Sequence, residues 1–172
     1  MESATAQIVA PYGTLVAADP LCMPRTSAFY GSAVELWAQD RFISDADTCL
    51  SIARVHPRPH EVIWMERHFK HTQTFVPLGG RPFLMVLGAP TGEPTPDAAS
   101  VRALRFDGSA GFMMHIGTWH EFPFAIGVLT DLLVILRNET NRDLEAREND
   151  EAEGGDLEKR NLRTRLGFSF AF

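Results

Sequence analysis

The 172-residue sequence has few cysteines and no paired-cysteine motif. Its two cysteines, Cys22 and Cys49, stand far apart in the chain. Small disulfide scaffolds and zinc ribbons both depend on closely spaced cysteines that recur along the sequence. The cysteine count therefore excludes these two classes and points to a chain that is stabilised by its hydrophobic core.

Long apolar runs and an excess of positive charge are also missing. No apolar run is long enough to span a bilayer, and the N-terminus lacks the basic flank and apolar core of a signal peptide. The net charge is −6, with 16 Lys and Arg against 22 Asp and Glu. A nucleic-acid platform is expected to be basic. We therefore expect a cytoplasmic protein that binds neither membranes nor nucleic acids and acts on a small molecule.

Amphipathic helix patterns are scarce, whereas short strand patterns are frequent. About nine short strands separated by turn signals predict an all-β fold, an antiparallel sandwich or barrel. Asp107-Gly108 is a typical hairpin signal between two of them. We expect a single domain over residues 1–172, with a core at about 10–137.

The segment 138–165 differs from the rest because charged residues crowd into it. Partial helix is compatible with its spacing, but we favour a solvated or partly disordered arm. Period-two alternation returns in the last segment, 166–172, where three phenylalanines share a face. This segment predicts a final strand that either docks on the core or forms a dimer contact.

The stretch from Glu61 to Gly80 contains the first candidate functional residues. Strand alternation places Val62, Trp64, Glu66 and His68 on one face. A second patch, 111–120, is glycine-rich and carries His115 and His120. Each patch alone fits an ordinary strand that ends in polar residues. Two histidine-bearing strands together favour a functional site.

Arg54 is a candidate for binding an anionic substrate. In the strand 48–55 it shares a face with Leu50 and Ile52. One interpretation is an arginine whose stem covers apolar surface while its head reaches water. The other is a carboxylate clamp, for which a guanidinium fork is well suited.

Several fragments taken together resemble the ureidoglycolate lyase family of the cupin superfamily. The similarity covers roughly residues 48–137 and is carried by the fragments 51–54, 65–68, 72–83, 101–103, 111–115 and 119–120, with a weaker echo at 11–13. The resemblance implies a small double-sheet barrel, or jelly roll, with a site in its mouth. It also implies a cytoplasmic homodimer of allantoin degradation in purine metabolism, which splits ureidoglycolate into glyoxylate and urea.

The sequence departs from the family pattern at identifiable positions. Glu66, His68, Gln73 and Gly80 keep the spacing of the usual first cupin motif but change two of its usual ligands. Glu121 stands where the family has a second histidine after Trp-His. A cupin-type metal oxygenase or isomerase acting on another small hydroxy acid is therefore an alternative, as is a non-enzymatic module that binds a small acid.

The resemblance implies roles for the candidate residues. We expect Glu66, His68 and His120 to share the proton transfers, either directly or through one divalent first-row metal ion held by the same three side chains. Arg54, or secondarily Arg105, holds the substrate carboxylate.

Three more residues complete the predicted site. Gln73 orients the ureido carbonyl or completes a metal shell, and Trp119 forms a wall of the pocket. His115 either contacts the substrate or is an inward-facing histidine with its hydrogen bonds satisfied.

Overall fold

Short β-strands dominate the computed structural model, which describes residues 1–19, 21–147 and 150–172. The described strands are β1 (Glu2–Ser3), β2 (Gly13–Val16), β3 (Arg25–Ser27), β4 (Gly31–Leu36), β5 (Thr48–Val55), β6 (Glu61–Val62), β7 (Trp64–His68), β8 (Thr74–Leu78), β9 (Phe83–Gly88), β10 (Arg102–Phe106), β11 (Gly111–Met114), β12 (Trp119–His120), β13 (Phe124–Ala125), β14 (Thr130–Arg137), β15 (Leu157–Asn161) and β16 (Phe170–Ala171). The helices are α1 (Ala6–Val9), α2 (Asn138–Ala146) and α3 (Leu162–Leu166), with a 3₁₀ turn at Ala98–Ser100. None of these described helices is long and apolar enough to cross a bilayer.

Two larger sheets form the body of the structure. The first has the strand order β1-β10-β9-β12-β7-β15, with β13 also pairing with β9. The second has the order β2-β11-β8-β14-β5. All of these pairs are antiparallel except β1 with β10. The all-β, antiparallel double-sheet fold predicted from the sequence is confirmed.

The main hydrophobic core draws buried side chains from both sheets. Strands β9 and β10 of the first sheet and β8, β11 and β14 of the second place alternate residues into it, as expected where one face of each strand is buried. Its buried members are Val9, Tyr12, Val55, Phe75, Phe83, Met85, Leu87, Leu104, Phe106, Phe112, Met114, Ala125, Leu132, Val134 and Leu136.

A second cluster packs on the opposite face of the first sheet and includes the C-terminal segment. Its buried members are Val62, Met65, Leu84, Val86, Trp119, Phe124 and Leu162. Phe170 and Phe172 pack against it, and β16 pairs with β6. The docked interpretation of the last segment therefore holds for these two phenylalanines. Its predicted extent is wrong at the start, because Leu166 ends helix α3 and Phe168 is exposed.

The charged segment 138–165 is more ordered than we expected. Its partial helicity is confirmed by α2, but the solvated interpretation is wrong for β15, which pairs with β7 along its full length. The charged side chains of Glu158, Lys159 and Arg160 are buried there. Residues 148 and 149 lie outside the described residues.

The predicted hairpin at Asp107-Gly108 is also wrong. Strands β10 and β11 flank this turn but belong to different sheets, so the turn carries the chain from one sheet to the other. Gly108 has φ +91°, and a Cβ there would lie 2.4 Å from the carbonyl oxygen of Gly80. Glycine is therefore required by both the backbone conformation and the close approach.

Candidate active site

Strand β7 presents Trp64 and Glu66 to a cavity, with His68 buried further along the same strand. The predicted shared face of Trp64, Glu66 and His68 follows from strand alternation. Val62 does not belong to it. The strand is interrupted at Ile63, and Val62 packs with Met65 in the second cluster, on the other side of the sheet.

Three neighbouring strands align a cation, a carboxylate and an imidazole in one row. Glu66 on β7 is opposite Lys159 on β15 and opposite His120 on β12. Residues that are directly opposite in antiparallel strands project from the same face, with Cβ atoms about 5 Å apart. We call Lys159, Glu66 and His120 the pocket row.

His68 lies beside the pocket row, two residues further along β7 than Glu66. Nε2 of His120 lies 3.4 Å from Oε1 of Glu66, and Nε2 of His68 lies 3.9 Å from the same oxygen. The rings of His68 and His120 have centroids 5.2 Å apart. The structure thus brings together the three residues that the sequence singled out for proton transfer, with side chains that are 15%, 3% and 1% exposed for Glu66, His68 and His120.

The hydrogen-bonding groups of both histidines are incompletely used. Among the described residues, neither ring nitrogen of His68 has a hydrogen-bond partner, and Nε2 of His120 has none either. Nδ1 of His120 lies 3.1 Å from the carbonyl oxygen of Thr118. If Nδ1–H donates to that carbonyl, the Nε2 lone pair faces the Glu66 carboxylate. Nε2 is then placed either to accept a proton or to bind a metal ion beside Glu66.

The ligand atoms of Glu66, His68 and His120 fit a metal ion geometrically. All of them lie within 4.8 Å of one another. Two imidazoles and one carboxylate form a donor set used for divalent first-row ions. The side of Glu66 and His120 that faces the cavity leaves room for substrate.

Burial controls the protonation of this group. Burial, followed by the nearby His120, lowers the pKa of His68 from 6.5 to about 3, so that His68 is neutral near pH 7. Burial alone would raise the pKa of Glu66, but the contact with His120 and the charges of His120, His68 and Lys159 hold it below its usual value. Glu66 is therefore ionised beside a neutral His68.

The cavity beside the pocket row has a volume of about 280 Å³. This is just below the usual range of ligand pockets, about 300–1,000 Å³, and suits a small organic acid. Helix α2 contributes to its wall. The lining residues are Trp64, Met65, Glu66, His120, Glu121, Phe122, Leu144 and Lys159.

Glu121 and Arg58 form an ion pair next to this cavity. The Arg58 guanidinium donates to Oε1 of Glu121 at 3.0 Å and to the carbonyl oxygen of Phe122 at 2.7 Å, and it lies 3.7 Å from the ring centroid of Phe124. Burial raises the pKa of Glu121, an effect that Arg58 opposes and Glu66 reinforces. Glu121 thus places a second carboxyl group in the wall where the family pattern has a histidine.

His71 and Asp156 form a second buried group next to His68. The ring of His71 has its centroid 4.6 Å from that of His68, and its Nδ1 lies 3.0 Å from Oδ2 of Asp156. Asp156 also accepts hydrogen bonds from the Thr140 hydroxyl and from the backbone N–H groups of Phe69 and Lys70. Burial would raise the pKa of Asp156, but contacts with His71 and Thr140 hold it far below its usual range. Asp156 fixes the loop that follows His68.

Neither predicted carboxylate-binding arginine lies at this site. Arg54 extends from the outer face of β5, where its side chain is 62% exposed and forms a two-pronged ion pair with Asp131 at 2.8 and 2.9 Å. Arg105 is exposed on β10, while its neighbours Leu104 and Phe106 fill the core. Strand alternation therefore turns both guanidinium groups away from the pocket row.

The positions of His115, Trp119 and Gln73 also bear on the roles predicted for them. His115 is exposed in the turn after β11, so it is not an inward-facing histidine. Trp119 precedes His120 on β12 and points into the second cluster, so Trp64 and Phe122, not Trp119, line the pocket. Gln73 is buried, and its Oε1 has no hydrogen-bond partner among the described residues, but Gln73 is not one of the residues that line the cavity.

Sequence reasoning missed His71, Asp156 and Lys159. His71 stands three residues after His68 in the stretch that we singled out, and this spacing was an available signal. Asp156 and Lys159 lie in the segment that we expected to be solvated. The segment around them is rich in charged residues, so nothing local distinguishes them from surface charges.

Comparisons with known proteins identify the family of this chain. The family described as Ureidoglycolate lyase matches residues 1–154. Ureidoglycolate lyase 1 of Rhizobium meliloti (strain 1021) is 30% identical over 159 residues, which are 88% of this chain and 89% of that protein. Ureidoglycolate lyase of Rhizobium etli is 31% identical over 148 residues, 82% of this chain and 85% of that protein. The Salmonella paratyphi B protein of the same name is 35% identical over 116 residues, 66% of this chain and 68% of that protein. The chain belongs to the ureidoglycolate lyase family.

Proposed function

We propose that this protein splits ureidoglycolate into glyoxylate and urea. The observation that carries the proposal is the convergence of Glu66, His68 and His120 beside a small cavity. Family membership supports the choice of substrate, since the relatives bear the name ureidoglycolate lyase. No observation on the described residues favours an oxygenase, an isomerase or a binding module.

The reaction is a proton-coupled cleavage of one carbon–nitrogen bond. The central carbon of ureidoglycolate carries a hydroxyl group, a ureido nitrogen and a carboxylate. A base removes the hydroxyl proton, the oxygen's electrons form the carbonyl of glyoxylate, and the carbon–nitrogen bond breaks. The departing nitrogen takes up a proton, which gives urea. A positioned acid or base accelerates such a step by roughly a hundred- to ten-thousand-fold.

The geometry assigns the base role to His120, with Glu66 as its partner. With Nδ1 held by the carbonyl of Thr118, Nε2 is the ring nitrogen that accepts the hydroxyl proton. The ionised Glu66, 3.4 Å away, stabilises the resulting imidazolium. His120 then delivers the same proton to the ureido nitrogen. Neutral His68 lies beside both groups.

The proposal has a second form, in which Glu66, His68 and His120 hold a divalent metal ion. The unpartnered nitrogens of the two histidines support it. Such an ion lowers the pKa of a bound hydroxyl group and polarises the adjacent bonds. In this form the same three residues act as ligands.

A cytoplasmic homodimer of allantoin degradation is proposed on the family resemblance. The outer face of β5 supports the homodimer, because Leu50 and Ile52 are both largely exposed there, next to the edge of the second sheet. Exposed apolar patches of this kind mark association surfaces.

The function is tested by incubating the purified protein with racemic ureidoglycolate and measuring glyoxylate and urea. We expect the two products to form in equal amounts, faster than in a control without protein. Parallel samples treated with a chelator, and then given Mn²⁺ or Zn²⁺, distinguish the metal-free from the metal-dependent form. Absence of glyoxylate above the control under every metal condition would refute the proposed activity.

A further inference from the structure

A second group of buried donor atoms lies next to His68 and outside the pocket row. His68, His71 and Asp156 each offer a ligand atom, and these atoms all lie within 4.8 Å of one another. The three side chains are 3%, 0% and 1% exposed. We call these three residues the inner cluster. The proposed proton transfers use neither His71 nor Asp156, so the cluster needs another explanation.

The two histidine rings of the inner cluster have unused nitrogen atoms. Among the described residues, no ring nitrogen of His68 or His71 has a hydrogen-bond partner. Nδ1 of His71 nevertheless lies 3.0 Å from Oδ2 of Asp156, and Nδ1 of His68 lies 3.9 Å from the same oxygen. Buried polar groups are nearly always hydrogen-bonded, and a buried carboxylate needs a compensating charge. Two such rings beside one carboxylate oxygen therefore indicate a cation-binding site.

Asp156 has the hydrogen bonds that orient a metal-binding carboxylate. Its Oδ1 accepts from the backbone N–H groups of Phe69 and Lys70 at 3.2 and 2.7 Å. Its Oδ2 accepts from the Thr140 hydroxyl at 2.6 Å and faces both histidines. Ligating carboxylates are typically held by such partners. A carboxylate oxygen that accepts one hydrogen bond keeps a further acceptor site, so Oδ2 can still bind an ion.

His68 can serve only one of two metal positions at a time. Its Nδ1 faces Asp156, whereas its Nε2 lies 3.9 Å from Oε1 of Glu66. A neutral imidazole has one nitrogen lone pair, and its other nitrogen carries a hydrogen. An ion bound at Nδ1 therefore leaves Nε2–H to face the Glu66 carboxylate. Metal binding by the inner cluster is thus compatible with the metal-free form of the proposed reaction.

We propose that His68, His71 and Asp156 bind one divalent first-row metal ion, such as Zn²⁺, which joins the C-terminal segment to the sheet. Two imidazoles and one carboxylate suit this class of ion. His68 and His71 lie within the family match, which ends at residue 154, whereas Asp156 lies beyond it and directly precedes β15. The ion thus connects the loop after β7 to β15. The inference goes beyond the proposed function and does not depend on it.

Metal binding by the chelator-treated protein, without substrate, tests the inference. Titration with Co²⁺, followed by visible absorption and calorimetry, should show one ion bound per chain. His71→Phe keeps a ring but removes both nitrogens. It should weaken binding by at least about 10- to 100-fold, the loss typical even of residues that only orient a ligand. His115→Phe is the matched control, because His115 is exposed, and it should retain the wild-type affinity.

The double variant Glu66→Gln/His120→Ala distinguishes the inner cluster from the pocket row. It removes two of the three ligands that the second form of the proposed function requires, but none from the inner cluster. We expect this variant to bind Co²⁺ with the wild-type affinity. Loss of binding in the double variant, together with full binding by His71→Phe, would place the ion beside the cavity and overturn the inference.

A proton shared between His71 and Asp156 is the alternative occupant of the inner cluster. It predicts that the wild type binds no Co²⁺, a result that would contradict the inference. If the cluster binds metal, Zn²⁺ should raise the urea midpoint of the wild type, because an ion held only by the folded state stabilises it. Zn²⁺ should leave the midpoint of His71→Phe unchanged. An equal increase in both proteins would also contradict the inference.

Two further features keep the test decisive. If His71→Phe does not fold, Asp156→Asn carries the same measurements, because it removes the charged ligand and keeps the shape of the side chain. The binding experiments need no turnover. A wild-type protein that binds Co²⁺ through the inner cluster but fails to cleave ureidoglycolate would support this inference and refute the proposed function.

Discussion

The two faces of strands β7 and β15 both bury charged groups, but they use them differently. On one face, the pocket row and His68 border a cavity, and histidine nitrogens have no hydrogen-bond partner among the described residues. On the other face, Arg67, Glu158 and Arg160 form what we call the rear network. Neighbouring residues of the same two strands therefore belong to opposite kinds of environment.

The rear network is closed by hydrogen bonds. Arg67 donates to Glu158 at 2.6 Å and to the carbonyl oxygens of Thr91 and Glu93. Arg160 bonds to the other oxygen of Glu158 and to further backbone carbonyls. The guanidinium of Arg67 also lies 4.4 Å from the ring centroid of Trp119. These contacts satisfy the charges and fix β15 to the sheet.

The comparison shows that buried charge alone does not identify an active site. A buried ion pair is tolerated when its partners are complete, as in the rear network. Unpartnered polar atoms beside an open cavity are the feature that distinguishes the pocket row. The comparison is sharpened if substitutions in the pocket row abolish turnover, whereas substitutions in the rear network reduce the free energy of unfolding.

The largest expected effect is that of His120→Ala on turnover. Removing the base should lower kcat by roughly 10²- to 10⁴-fold. His115→Ala is the matched control, because His115 is exposed and lies in the turn before the same short strand. Steady-state kinetics of both variants test the assignment. Equal activity of His120→Ala and His115→Ala would remove His120 from the mechanism.

Much of this site was predictable where local pattern decides position. Strand alternation in β7 placed Glu66 and His68 on one face, and the Trp-His pair placed His120 on a second strand. The position of the Arg54 side chain was not predictable, because its partner Asp131 comes from β14, a distant strand that pairs with β5. Which face of a strand meets the core depends on such long-range pairing.

The C-terminal segment shows the limit of composition as a guide. Its high charge favoured a solvated arm, yet β15 is buried because Glu158 and Arg160 find partners across β7 and in the loop that contains Thr91 and Glu93. Complementary charges at matching register positions offset the cost of burial. This pairing between distant segments cannot be inferred from the C-terminal segment alone.

The next effect is expected on stability, from Glu158→Ala in the rear network. Removing the carboxylate leaves the buried Arg67 without its charge partner and Arg160 with only the exposed Glu153 at 3.8 Å, which should reduce the free energy of unfolding by about 3–5 kcal/mol. Asp131→Ala is the control, because it breaks the exposed pair with Arg54 and should reduce the free energy of unfolding far less. Urea denaturation measures both. A loss in Glu158→Ala no larger than in Asp131→Ala would mean that the network contributes little.

The smallest expected effect concerns the acid sensitivity that His68 confers. Its pKa is about 3 in the folded protein and about 6.5 when unfolded, so the unfolded chain binds a proton first as the pH falls. Stability is therefore full above pH 6.5 and declines as the pH falls toward 3. Between pH 7 and pH 5.5 the contribution of His68 amounts to about 1 kcal/mol.

His68→Gln should remove this contribution and flatten the pH dependence of unfolding. Urea midpoints recorded from pH 7 to pH 5.5 in the presence of a chelator measure it without interference from metal binding. His115→Gln serves as the control, because His115 is exposed in the turn after β11, and it should follow the wild-type curve. If His68→Gln keeps the wild-type slope, His68 is not held neutral by burial. The contrast between the pocket row and the rear network would then rest on hydrogen bonding alone.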